Sequence, residues 1–90
     1  MAEQNKAARG AKRRHLRLSN SDNVTTVLDD LVDVSCLAGG GSVVPGVRFG
    51  HKVALSDIAA GEAVVKYGVV IGHATQPIAK GEHVHVHNCC

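Results

Sequence analysis

Three histidines alternate with two valines near the end of the printed sequence, in the order His83, Val84, His85, Val86 and His87. Side chains of a strand alternate between faces, so the pattern predicts a strand with all three imidazoles on one face and the valines on the core face. Histidines two positions apart are separated by about 6.5–7 Å at Cα, which allows two of them to chelate one metal ion, whereas the outer pair is about 13 Å apart. Zinc or ferrous iron needs at least one more protein ligand. The pattern therefore predicts metal or anionic-substrate contact, with a solvated polar face as the alternative.

A second pair of reactive residues, His51 and Lys52, follows Gly50 at the predicted exit of a glycine-rich loop. Imidazole next to an ammonium group can bind a carboxylate and move a proton, although such a dipeptide taken alone is more typical of ordinary surface. Cys89 and Cys90 add soft ligand atoms after the histidines, in a position where chain ends commonly fray.

Length and composition restrict the elements that can position these residues. Ninety residues make one domain, and 44% hydrophobic residues suffice for a core without any run long enough to span a membrane. The aromatic residues are only Phe49 and Tyr67, so the core must be aliphatic. Three cysteines cannot form an even disulfide framework, and no apolar secretory segment follows the basic N-terminus, which together predict a cytoplasmic protein.

The charge is divided unevenly along the chain. Residues 1–17 carry six basic residues against one acidic residue, while residues 18–90 carry four against seven. We therefore predict a disordered basic tail over 1–13 and a folded domain over 14–90. Contact of the tail with nucleic acid is the alternative, and the lack of an aromatic platform in the domain argues against it.

The sequence contains an internal repeat, Ile-Ala-x-Gly-Glu-x-Val, which begins at Ile58 and again at Ile78. Its glycines predict turns with positive φ, and the residues after each glutamate alternate as in a strand. Short strands joined by glycine turns predict an all-β fold. The predicted strands are Leu16–Leu18, Val53–Leu55, Val64–Tyr67, Val69–Ile71 and His83–His87.

Three other segments require an interpretation. The segment Val24–Val27 has helical spacing but β-branched residues, and we favour a strand. The glycine-rich segment 38–50 predicts a looped excursion with at most short extended pieces. The apolar run 68–72, bounded by glycines, predicts a buried strand.

A set of short motifs resembles the SAF domain of the altronate/galactarate dehydratase family. The motifs are Asp22-Asn23-Val24, Gly50-His51-Lys52-Val53-Ala54-Leu55, Asp57-Ile58, Gly61-Glu62, Lys66-Tyr67-Gly68, Ile71-Gly72-x-Ala74 and Ile78-Ala79-x-Gly81-Glu82-His83-Val84-His85-Val86-His87-Asn88. The resemblance covers about residues 16–88, apart from a weakly matched loop at 32–49. One departure is Ser19, where family members carry a histidine.

The resemblance implies a small β-clip domain that works in a metal-dependent lyase together with a large catalytic subunit. Such an enzyme removes the proton next to the carboxylate of a small sugar acid and expels a β-substituent. The implied cofactor is a divalent metal, usually Fe²⁺, supplied mainly by the partner subunit. The implied roles are catalysis by His51 and Lys52, substrate binding by His85, His87 and Asn88, and metal binding by His83 and His85.

Three functions remain open at this point. The first is the small subunit of a sugar-acid dehydratase, and the second is the small subunit of sulfolactate sulfo-lyase, which differs in the leaving group. The third is a module that binds a carboxylate or a partner without catalysis. In either enzymatic case we expect the isolated chain to be inactive, because 90 residues leave no room for the catalytic core.

Overall fold

The computed structural model describes residues 11–90, which form six short β-strands and no helix. The strands are β1 (His15–Leu16), β2 (Val24–Val27), β3 (Lys52–Ala54), β4 (Ala63–Lys66), β5 (Val69–His73) and β6 (His83–Val84). Strands β1, β2, β3 and β6 form one antiparallel sheet in the order β1-β2-β3-β6, and β4 pairs with β5 in a separate hairpin. The predicted all-β class is confirmed, including the strand over Val24–Val27. Within residues 11–90, no helix could span a membrane.

The central strands β2 and β3 each place apolar residues on both faces of the sheet. Neighbouring residues of a strand point to opposite faces, and Val53 and Ala54 of β3 belong to two different apolar clusters. One cluster consists of Val24, Ala54, Ile58, Val64, Ala74, Ile78 and Val84. The other consists of Val27, Leu37, Val43, Val47 and Val53. Strand β3 is therefore held from both sides, which fixes the position of Lys52 at its start.

The two copies of the internal repeat form matching turns that pair with each other. Ile58 and Ile78 exchange two backbone hydrogen bonds of 2.8 Å. In both turns the glutamate, Glu62 or Glu82, accepts a hydrogen bond of 2.8 Å through Oε1 from the backbone N–H three residues earlier. The glycines of the turns have the predicted positive φ, 84° at Gly61 and 86° at Gly81.

Two expectations about burial are corrected. Strand β5, predicted to be buried, exposes 61% of Val69, 54% of Val70 and 42% of Ile71, because no described element packs over it. The segment 38–50 is a looped excursion as predicted, yet it contributes the buried Val43 and Val47 to the second cluster.

The predicted boundary of the basic tail is corrected at Arg13, which is fully buried. Its Nε donates a hydrogen bond of 2.9 Å to Asp29 Oδ1, and its Nη2 donates one of 2.7 Å to the Asp29 carbonyl. Its backbone pairs with the segment that contains Leu37. The folded domain therefore includes Arg13, while the predictions for residues 1–10 lie outside the described residues.

We expect Arg13→Met to lower the free energy of unfolding by about 3 kcal/mol, because the change leaves the largely buried Asp29 carboxylate without its cationic partner. Urea denaturation measures this effect. Arg14→Met is the matched control, since the Arg14 side chain is exposed. Equal losses in the two variants would contradict a special role for the buried pair.

Asp22 joins two loops through a buried carboxylate. Its Oδ1 accepts a hydrogen bond of 2.7 Å from Gly68 N–H, and its Oδ2 accepts bonds of 3.2 Å from Leu18 and Ser19. Burial alone would raise the pKa of Asp22, but the backbone N–H groups of Gly68, Tyr67, Ser19 and Leu18 outweigh it and hold the pKa below its usual 3.8. The charged carboxylate therefore belongs to the folded state.

This depressed pKa of Asp22 predicts acid sensitivity. A carboxyl group with a lower pKa in the folded state contributes full stability above its unfolded pKa of 3.8 and loses that contribution as the pH falls through the folded pKa. We expect the melting temperature to fall below about pH 4, and the fall to be shallower in Asp22→Asn. Melting curves between pH 2.5 and 7 test this, and identical pH profiles for the two proteins would refute it.

Candidate functional site

The histidine-rich segment is not the strand predicted over His83–His87. Strand β6 ends at Val84, and a turn follows. The reason is Asn88, whose Oδ1 accepts a hydrogen bond of 2.9 Å from His85 N–H and whose Nδ2 donates one of 2.9 Å to the His83 carbonyl. Val84 is buried as predicted, but Val86, expected on the same core face, is 81% exposed.

The turn brings the ring of His87 closer to that of His83 than a strand would allow. His83 and His85 stack with 9° between their planes and 5.5 Å between centroids, and His87 lies 5.8 Å from His83. His51 joins this group from the start of β3, with its ring centroid 5.0 Å from that of His83 and 5.4 Å from that of His85. His51 and His85 therefore lie on the same side of the domain.

His51, His83 and His85 offer three ring nitrogens that all lie within 4.8 Å of one another. The Nδ1 of His51 is 3.0 Å from the Nε2 of His83, a distance that requires one nitrogen to donate its proton to the other. Two nitrogens bound to one ion at about 2.1 Å can be at most about 4.2 Å apart, so a small side-chain rotation suffices to bring all three onto one ion. The sequence pointed to His83 and His85 as a pair, whereas His51 completes this group.

The local electrostatics keep the central ring neutral. Burial lowers the pKa of His83 below its usual 6.5. Positive charge on its neighbours lowers this pKa further, the contributors in decreasing order being His51, His85, His87 and Lys52. A neutral imidazole is the form that binds a metal or accepts a proton.

Lys52 and His85 both line a cleft of about 370 Å³. The cleft is lined by Lys52, Lys66, Ile71, His85, Val86 and Cys89. Lys66, the last residue of β4, was not singled out in the sequence. The available signal was its place in the Lys66-Tyr67-Gly68 motif, directly before the hairpin turn between β4 and β5.

The predicted site residues thus differ in their access to solvent. His51, Lys52 and His83 are half-buried, and His85 and His87 are exposed. Asn88 is fully buried and its side chain bonds to the backbone of His83 and His85, so its position favours holding the turn rather than touching a ligand. The roles of all six residues stay predictions.

Asn88→Ala is expected to destabilise the domain by about 2–3 kcal/mol, because it removes the hydrogen-bond partners of the His83 carbonyl and the His85 N–H. Chemical denaturation measures the loss, and the amide resonance of His85 reports whether the turn is still formed. His87→Ala serves as the control at an exposed position of the same turn. Unchanged stability of Asn88→Ala would show that the turn does not depend on this amide.

The chain matches a protein family model and several known proteins. The family model described as altronate/galactarate dehydratase SAF domain matches residues 13–90. The chain is 41% identical to the altronate dehydratase of Bacillus subtilis over 76 residues, which make up 81% of this chain and 15% of that protein. It is 41% identical to the altronate dehydratase of Escherichia coli over 78 residues, 83% of this chain and 16% of that protein.

A shorter relative is more similar over a smaller region. The chain is 55% identical over 42 residues to the (2R)-sulfolactate sulfo-lyase subunit alpha of Chromohalobacter salexigens, with 47% of this chain and 45% of that protein covered. The chain therefore spans about one sixth of the altronate dehydratases that it matches, and less than half of this sulfo-lyase subunit.

Proposed function

Because the chain belongs to the altronate/galactarate dehydratase SAF domain family, we propose that it contributes a face of the active site to a sugar-acid dehydratase whose larger catalytic part lies in a partner subunit. The observation that carries the proposal is the approach of His51, His83 and His85 to within 4.8 Å, next to a cleft that contains Lys52. The relatives named as altronate dehydratases are about six times as long as the matched region, which leaves the larger catalytic part outside this chain.

The residues of this face suit an elimination next to a carboxylate. The reaction takes a proton from the carbon that bears the carboxylate and releases the β-hydroxyl group as water, and the resulting enol becomes a 2-keto acid. The imidazole of His51 can accept or return a proton. The ammonium group of Lys52 can stabilise the negative charge that develops on the carboxylate when the proton leaves.

A divalent metal fits the histidine group, since three imidazole nitrogens within 4.8 Å are suitable ligands for Fe²⁺ or Zn²⁺ and leave positions free. We propose that His83 and His85 hold such an ion together with groups of the partner subunit, and that His51 remains beside it as the acid–base group. When bound, the metal would supply a Lewis acid that polarises the substrate.

The experiment is purification of the tagged chain with its natural partner, followed by assays of the chain and of the complex with altronate and galactarate. We expect turnover by the complex and none by the chain alone. Turnover by the purified chain would refute the division of labour, and a complex that converts neither acid would refute the dehydratase assignment.

The second candidate is the small subunit of a sulfolactate sulfo-lyase, which the 55% identity over 42 residues favours. Here the group expelled from the substrate contains sulfur rather than oxygen, so release of sulfite from sulfolactate by the same complex distinguishes the two enzymes. If the complex binds these acids but converts none of them, the non-catalytic binding module is the remaining function.

A further inference from the structure

The cleft beside the histidine group contains a positive charge that the proposed reaction does not use. Lys66 lines the cleft together with Lys52, and no aspartate or glutamate lines it. Among residues 11–90, the ion pair between Arg13 and Asp29 is the one salt bridge, so neither ammonium group has a carboxylate within 4.0 Å there. Two uncompensated cations that share a concave site attract an anion.

Both lysines are held by the fold rather than placed on free loops. Lys52 opens β3 and pairs in register with Thr26 of β2, while Lys66 closes β4. The Nζ of Lys66 lies 4.9 Å from the centre of the Tyr67 ring, and the Tyr67 hydroxyl donates a hydrogen bond of 3.2 Å to Thr26 Oγ1. The backbone of Lys52 therefore pairs with β2, and the Tyr67 ring next to the Lys66 ammonium group also contacts β2.

The rest of the lining is mainly apolar and comes from Ile71 and Val86, with Cys89 at the side. Such a wall can pack against a carbon chain and strengthens charge interactions by excluding water. A volume of about 370 Å³ lies at the small end of the range for ligand sites and suits a small organic molecule rather than a cofactor such as a dinucleotide.

We propose that Lys66, together with Lys52, binds the anionic head group of a small organic acid in this cleft, while Ile71 and Val86 contact its carbon chain. The inference rests on the proposed function only in identifying the acid as the substrate. The head group can be a carboxylate or a sulfonate, since the planar carboxylate and the tetrahedral sulfonate both present negatively charged oxygen acceptors to two ammonium groups.

The first test is a titration of the full-length chain, followed through its amide resonances, with sodium galactonate, sulfolactate, inorganic sulfate and galactitol. Galactitol has the carbon chain of galactonate without its charge. We expect saturable shifts at Lys66, Ile71 and Val86 with the organic anions and none with galactitol, and weaker binding at higher salt. Because sulfolactate carries both groups, the preferred head group is identified by comparing butanoate with propane-1-sulfonate, which place a carboxylate and a sulfonate on the same propyl chain. Absence of saturable shifts with every anion, or equal binding of galactitol, would overturn the proposal.

Lys66→Gln should weaken binding of the organic anion at least tenfold. Lys80→Gln is the matched control, because Lys80 is an exposed lysine of the second repeat turn outside the cleft lining. Equal losses in both variants would show general charge attraction rather than a site. Melting temperatures of the variants distinguish a binding effect from a loss of folding.

The assembled enzyme provides an independent second test. Lys66→Gln should raise KM for the acid at least tenfold, because the lysine holds the acid group in the ground state as well as in the transition state. If the complex is an active dehydratase with an unchanged KM, the inference on Lys66 fails and the proposed function stands. If the chain binds the anion through Lys66 but no complex has lyase activity, the proposed function fails and the binding site stands.

Discussion

Replacing His51 by alanine is expected to lower the turnover of the assembled enzyme at least about 100-fold, as loss of a positioned acid–base group does. The fold should survive, because the variant keeps the backbone carbonyl of residue 51, which accepts a hydrogen bond of 2.9 Å from Val27 N–H. The affected quantity is kcat, measured with the complex at saturating substrate. Lys52→Ala should have an effect of similar size.

His73→Ala is the matched control for His51→Ala. His73 is an exposed histidine of β5 whose backbone pairs with that of Cys90, and its ring belongs to no ligand group among residues 11–90. Its replacement should leave turnover within about twofold of the wild type. If His73→Ala and His51→Ala reduce activity equally, or if His51→Ala is fully active, the site has been assigned to the wrong histidine.

The largest effect on stability is expected from Gly81→Ala. A Cβ at this position would lie 2.7 Å from Ser42 Oγ and 2.9 Å from the Ser42 carbonyl oxygen, and the φ of 86° is itself unfavourable for alanine. Strain of about 1–2 kcal/mol from the backbone and about 1–3 kcal/mol from overpacking predict a loss of about 2–5 kcal/mol. Thermal or urea unfolding measures it.

The repeat provides an internal control at Gly61. This glycine has nearly the same φ, 84°, but no atom within 4 Å of a Cβ built on it. Gly61→Ala should therefore cost only the backbone strain of about 1–2 kcal/mol. Adding Ser42→Gly to Gly81→Ala removes the Oγ contact but not the carbonyl contact, and should restore stability in part. Equal losses at the two glycines would mean that contact with Ser42 is unimportant.

The regular parts of the fold could be predicted because their signals are local. Glycine fixes the two repeat turns through its tolerance of positive φ, and β-branched residues favour the strand at Val24–Val27. The exposure of β5 could not be predicted, because an apolar run shows what a segment can bury and not whether another element lies over it. The burial of Arg13 could not be predicted either, because it depends on a partner, Asp29, that lies 16 positions away in the sequence.

The sequence identified most residues of the candidate site but not how the chain arranges them. Alternation of histidine and valine predicted a strand, but one side chain, Asn88, offers the backbone other hydrogen bonds and turns the chain after Val84. That turn allows His83 and His85 to stack and to meet His51. Alternation alone gives no sign of such a side chain, whose effect depends on its burial.

The pairing of the two repeat turns suggests how this site arose. Two equivalent turns that recur at an offset of 20 residues and face each other through Ile58 and Ile78 are the expected product of a tandem duplication. The first unit has Ala63 where the second has His83, and both positions follow a glutamate that closes its own turn. One copy could thus acquire imidazoles while its twin preserved the original architecture, so that a histidine cluster could arise without rebuilding the domain.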